Sequence, residues 1–113
     1  MSGVHALAGE ERIILKSRRE IEKMRRSNLI VAEILESLKQ AVRPGVTTRE
    51  LEEKAAAMLA KTGARSAFKG YNGYPAVLCA SVNEEVIHGI PSGRVLKEGD
   101  IVSLDFGAVW EDY

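Results

Sequence analysis

Four short passages of this chain gather the side chains that can do chemistry. Gly70-Tyr71-Asn72-Gly73-Tyr74-Pro75 carries two phenols in a turn, and the thiol of Cys79 follows closely. Ser81-Val82-Asn83-Glu84 and His88-Gly89-Ile90-Pro91 come next, the second presenting an imidazole between turn-forming neighbours. Gly99-Asp100 then feeds the apolar run Ile101 to Val109, in which Asp105 is the only acid. Phenols, a thiol and an imidazole on neighbouring turns and short strands are the layout of a substrate pocket.

Each residue has a sharp reading and a plain one. Burying a carboxylate costs several kcal/mol unless it is compensated. A strand also aims its side chains rigidly, so Asp105 suits metal chelation. Alternation equally places Ser103 and Asp105 on one face, which can be the polar face of a sheet. Asp112 falls on the opposite face, and Glu111-Asp112-Tyr113 reads as the start of a hairpin turn. His88 could donate a hydrogen bond or move a proton near neutral pH, or be a loop histidine without a task. Tyr71, Tyr74, Phe68 and Cys79 could wall a site for an unbranched, polarizable side chain such as methionine, or simply pack a loop. Cys79 has no basic neighbour in sequence to make it a nucleophile. Ser81 and Ser103 lack a histidine–acid pattern. There is no His-Glu-x-x-His, and His5 belongs to the N-terminal segment, so a self-contained zinc site is unsupported.

The elements that must position these residues are legible. Residues 1–12 read as a loose, flexible leader. Ser17 and Glu20 form a capping box. Behind them Ile21, Met24, Asn28, Val31, Leu35, Leu38 and Val42 recur at spacings of three and four, the face of a long amphipathic helix ended by Pro44-Gly45. Thr47 and Glu50 repeat the box. Leu51, Ala55, Met58 and Leu59 give the second helix its stripe, and Gly63 supplies a left-handed cap. The two helices are expected as antiparallel neighbours. Ala76 to Val82 reads as a strand buried on both faces. Val86-Ile87 is a second short strand, Ser92-Gly93 and Leu96 to Asp100 are turns, and Ile101 to Val109 is a strand. Helices followed by strands give an α+β class.

Composition narrows the rest. A chain of 113 residues with 45% hydrophobic and 28% charged residues is long enough for one modest core. Its 16 basic and 16 acidic residues balance to +0, against binding driven by phosphate neutralisation. Lys16, Arg18, Arg19, Lys23, Arg25 and Arg26 are interleaved with Glu20 and Glu22, as on a solvated helix face. One cysteine excludes an internal disulfide. Neither a signal peptide nor a membrane span is visible, so a cytoplasmic protein is expected.

From about Ile14 onward, the order Gly-Tyr-x-Gly-Tyr-Pro, Ser-Val-Asn-Glu, His-Gly-Ile-Pro, Gly-Asp-Ile-Val and strand aspartate resembles the N-terminal half of the type I methionine aminopeptidases. That resemblance implies the pita-bread fold, here two helices on a mostly antiparallel sheet. Residues 13–113 would be the N-terminal portion of the catalytic domain. It implies removal of the initiator methionine from nascent proteins by hydrolysis assisted by two divalent cations, with cobalt, manganese, iron and zinc not distinguished. Asp105 matches the family's first metal-binding aspartate. His88 matches the catalytic histidine that contacts the scissile amide. Phe68, Tyr71, Tyr74 and Cys79 match the methionine side-chain pocket, and Asn83 a loop that holds a monovalent cation in some members.

The family's ligands are two aspartates, a histidine and two glutamates, of which Asp105 alone is matched here. The chain by itself is therefore expected to be inactive, and prone to aggregate through an exposed apolar edge. The implied partner is a peptide or nascent-protein N-terminus beginning with Met, met by a full-length monomer that touches neither nucleic acid nor membrane. Two alternatives remain: a non-enzymatic pita-bread binding module, and a proline-directed aminopeptidase of the same fold. Retention of His88, Asp105 and both tyrosines speaks against the first. The compact His88 to Pro91 passage speaks against the second.

Overall fold

A computed structural model describes residues 3–6, 12–15, 17–84 and 89–113. Within the segment that reads as a leader, β1 (Gly3–Ala6) pairs antiparallel with β2 (Arg12–Leu15), Gly3 opposite Leu15 and Ala6 opposite Arg12. Part of that segment is therefore strand. Its partner β2 carries Ile13 and Ile14, β-branched residues that favour extended backbone.

Helix α1 spans Arg18–Ala41 and opens on the expected box. The Glu20 amide donates to Ser17 Oγ at 3.1 Å and the Ser17 amide donates to Glu20 Oε1 at 3.0 Å. Its buried face matches the expected one only in its second half, where Leu38 is buried and Val31, Leu35 and Val42 pack half-covered against the core. Ser27, Ile30, Ile34 and Leu38 point inward, whereas Ile21, Met24 and Asn28 are exposed. The helix is apolar over a wide arc, so its period admits two stripes. Contacts with the strands select one of them, and the Ser27 hydroxyl, which donates to the Ala108 carbonyl at 2.8 Å, marks the choice.

Helix α2 (Thr48–Ala60) starts on Thr47 with the same reciprocal bonds to Glu50, both 3.1 Å. Leu51, Ala55 and Leu59 are buried as expected, and Gly63 has φ +80° just beyond its end. The two helices pack against each other.

The remaining strands are β3 (Arg65–Ser66), β4 (Leu78–Val82), β5 (Val102–Phe106) and β6 (Ala108–Val109). β4 pairs antiparallel with β5 and β3 with β6. The run expected as one strand from Ile101 to Val109 is thus two, parted at Gly107, whose carbonyl accepts from the Ala67 amide at 3.0 Å. All five residues of β4 are buried. The core lies between the helices and β4: Ile34, Leu38, Leu51, Leu78 and Val82 are its largest enclosed apolar side chains. Each such residue contributes about 1.5–3 kcal/mol of burial. The second short strand expected at Val86-Ile87 lies outside the described residues.

The chain closes on a tight turn. Glu111 and Asp112 both have positive φ, and the Tyr113 amide donates to the Trp110 carbonyl at 3.0 Å. A turn is thus present at the residues where one was expected, in the mirror-image form that hairpins favour. It is fastened to α1 by a Lys23–Glu111 ion pair of 3.5 Å, by Arg26 stacked over Trp110, and by the Tyr113 hydroxyl donating to Glu20.

Candidate active site

The turn between β3 and β4 builds one wall of a cavity. Ser66 Oγ accepts the amides of Phe68 and Lys69, each at 3.0 Å, which starts the turn. Tyr71–Gly73 then forms one 3-10 turn, closed by the Gly70 amide donating to the Tyr74 carbonyl at 2.8 Å. Gly70, Asn72 and Gly73 all have positive φ, and a Cβ at either glycine would meet open space. The glycines serve the backbone conformation here. Phe68 and Tyr74 meet edge to face, 6.4 Å between centroids at 87°.

Phe68, Tyr71, Tyr74, Cys79 and Asp105 line a single cavity of about 590 Å³, together with Asn72, Gly73, Pro75 and Ile90. The register of β4 and β5 accounts for the junction. Cys79 and Asp105 are directly opposed, so the buried thiol and the carboxylate meet across one rung of the ladder. Five of the six residues singled out from the sequence as site residues are thereby brought together. The sixth, His88, lies outside the described residues.

Asp105 is exposed, on the same face of β5 as Ser103. The cost of burying its charge does not arise. Its carboxylate has no hydrogen-bond partner among the described residues, which leaves its oxygens available to a cation. A hard divalent ion favours such oxygens but needs several of them. Among the described residues no three of His, Cys, Asp and Glu converge. Asp105 fits a metal as one ligand of a set.

Tyr74 is the best anchored of the phenols. Its hydroxyl donates to the Leu78 carbonyl at 2.8 Å and to that of Gly89 at 3.4 Å. Burial pushes this phenol upward, and contact with Cys79, then the charges of Glu52 and Asp105, add to the shift. It is therefore a neutral donor across the physiological range. Tyr71 is 71% exposed at the rim.

Gly89, next in the chain to His88, is pinned against β4. Its amide donates to Ser81 Oγ at 3.0 Å and its carbonyl accepts from Ala80 at 2.8 Å. A Cβ there would stand 2.4 Å from the Ala80 carbonyl oxygen, so only glycine fits. The pattern of metallopeptidase family M24 matches residues 22–113.

The chain belongs to metallopeptidase family M24.

Relatives within the family agree. The chain is 53% identical over 102 residues to a methionine aminopeptidase of Clostridium acetobutylicum, covering 89% of this chain and 41% of that one. It is 50% identical over 101 residues to methionine aminopeptidase 1 of Bacillus subtilis, with the same coverage. The crystal structure of methionine aminopeptidase from Thermotoga maritima superposes with a TM-score of 0.82 at 44% identity, over 85% of this chain and 39% of that one. The chain thus spans about two fifths of the curated relatives it matches. Its two helices and antiparallel ladders are the N-terminal part of the pita-bread fold. No helix among the described residues is long and apolar enough to cross a membrane.

Two features at this site escaped the sequence reading. Glu52, on α2, accepts the amides of Val77 and Leu78. Thr48 accepts the Ser92 amide at 2.8 Å and donates to its carbonyl at 3.1 Å, tying the segment after Gly89 to the start of α2. For Glu52 the one available signal was an acid beside Leu51 on a helix that faces the strands. The Asn83 side chain holds its neighbours: it donates to Asp100 at 2.9 Å and accepts from the Ile101 amide at 2.9 Å.

Proposed function

We propose that this chain forms the substrate-side-chain wall and one metal-ligand position of an aminopeptidase that removes N-terminal methionine. One observation carries the reading: the Cys79–Asp105 rung sets a free carboxylate at the mouth of a cavity walled by Phe68 and Tyr74. A methionine side chain is unbranched and polarizable, and suits such aromatic and thiol walls. Phe68, Tyr74 and Cys79 would hold it and exclude water around it, while Tyr71 covers the rim. Asp105 would hold one divalent cation by its carboxylate.

Two such cations in the complete site would supply activation of the attacking water and neutralisation of the developing oxyanion. His88 is proposed to contact the scissile amide and to pass a proton to the departing amine. The substrate would be the free end of a peptide or nascent protein in the cytoplasm. One carboxylate does not retain a hard cation against water, so the chain alone is expected to hydrolyse nothing.

Two measurements test this. Titrating the isotope-labelled chain with L-methioninol is expected to move the signals of Phe68, Tyr74 and Cys79. An equal response to L-alaninol, or a stronger one to an Ala-Pro dipeptide, overturns the methionine reading. The second measurement is hydrolysis of Met-Ala-Ser with added cobalt or manganese. Turnover above the metal blank overturns the inactivity of the isolated chain.

A further inference from the structure

Strand β4 has β5 on one edge, and among the described residues no strand pairs the start of the other. Successive residues of a strand turn their amides to alternate edges, so Leu78 and Ala80 share the edge away from β5. Ala80 finds the Gly89 carbonyl there. Leu78, whose side chain is fully buried, finds side chains instead. Its amide donates to Glu52 Oε1 at 3.0 Å, and its carbonyl accepts from the Tyr74 hydroxyl at 2.8 Å. The Val77 amide also donates to Glu52, 3.0 Å from Oε2 and 3.2 Å from Oε1. Polar backbone enclosed beside a core must be paired. Glu52 and Tyr74 together take the place of a neighbouring strand.

We propose that Glu52 is a positioning residue for the cavity. Its carboxylate fixes the Val77–Leu78 backbone, the Leu78 carbonyl fixes the Tyr74 hydroxyl, and the Tyr74 ring with Phe68 and Cys79 sets the shape offered to a substrate side chain. This rests on reading the cavity as a methionine side-chain site. The platform is firm, because Glu52 follows Leu51, which is 1% exposed at the centre of the helix–strand core. The bonds are charge-assisted and two-pronged, the kind that holds geometry rather than only adding stability. Cys79 is the next residue along, so a shift at Leu78 moves both the thiol and the phenol.

The experiment compares Glu52→Gln and Glu52→Ala with Glu53→Gln, an exposed acid one position away. Amide exchange, the Tyr74 and Cys79 signals, and L-methioninol affinity are read on the isotope-labelled chain. In Glu52→Gln the amide oxygen can serve one N–H, but its NH₂ then faces the other. Exchange at Val77 or Leu78 should accelerate roughly tenfold, the cost of one lost partner. The Tyr74 and Cys79 signals should shift, and methioninol affinity should fall by about the same factor. Glu53→Gln should change none of these.

Unchanged Tyr74 and Cys79 signals in Glu52→Gln would overturn the proposal. So would changes spread equally to Ile34, Leu38 and Leu59, which would mark general loosening. Should Glu52→Ala not fold, the near-isosteric Gln variant decides. Should the unaltered chain ignore methioninol, the functional reading fails, while exchange and the Tyr74 signal still judge Glu52.

Discussion

Strands β4 and β5 are paired along their whole length, yet they meet opposite surroundings. β4 is buried at every position, whereas β5 alternates, with Ser103 and Asp105 open and Leu104 half covered. β4 is therefore enclosed on both faces, Leu78, Ala80 and Val82 in the core and Cys79 beside the cavity, and its free edge has to be completed by Glu52, Tyr74 and Gly89. β5 gives one face to the core and the other to the cavity. A site carboxylate can sit on the second kind of strand without the desolvation cost that the first would impose.

The largest expected effect sets the two strands against each other directly. Leu78→Ala removes a side chain of 0% exposure and should cost about 3 kcal/mol in denaturant unfolding. Leu104→Ala, on β5, should cost about half as much or less, since much of that side chain is never enclosed. Equal losses would break the contrast. Next is Gly89→Ala, whose Cβ would press on the Ala80 backbone. Roughly 2 kcal/mol of destabilisation is expected, within the range for overpacking, and calorimetry of the two forms would show it. A neutral result would mean that the Gly89 contact does not complete the β4 edge.

Asp105→Asn should leave stability within about 0.5 kcal/mol, as for an exposed position. It should also remove the weak paramagnetic broadening of neighbouring signals that transient contact with millimolar-range manganese produces, a contact too brief to count as retention of the ion. Destabilisation without loss of broadening would remove Asp105 from the cavity's chemistry. The smallest effect concerns Asp100, just before β5. Hydrogen bonds from the Asn83 side chain and then the Lys97 backbone hold its carboxyl below the usual range. A carboxyl lowered by folding contributes stability present above its unfolded value, about 3.9, and lost as pH falls through the lowered folded value. A carbon-detected titration of Asp100 should show a midpoint below that of an unfolded peptide, and Asn83→Ala should raise it.

The sequence disclosed most where a local rule acts alone. Both helix starts follow from a hydroxyl and a glutamate three residues apart. The burial of β4 follows from seven successive residues, Ala76 to Val82, with no charge among them. The closing turn was legible from Glu111-Asp112. The face of α1 was legible only in its second half, because Ile21, Met24, Leu29, Ile30 and Ile34 cover too much of the helix for periodicity to pick a side in its first turns. Tertiary contact made that choice through Ser27. In the site, the cavity-lining residues were legible as aromatics and a thiol around a turn, carried further by family resemblance. Glu52 was not, since an acid that binds backbone leaves no partner side chain to find in the sequence. The break at Gly107 was hidden for a similar reason, lying in the backbone exchange with Ala67.

That break carries a consequence of its own. A Cβ at Gly107 would lie 3.1 Å from both the Ala67 methyl and the Phe68 ring edge. The bare hydrogen at position 107 is what lets the Phe68 ring settle back against the ladder. Adding a single methyl there would press directly on the Phe68 ring and the Ala67 methyl, so one of them would have to give by a few tenths of an ångström, and Phe68 is itself part of the cavity wall. On the proposed methionine reading, one carbon at position 107 would change the shape that Phe68 offers to a substrate side chain.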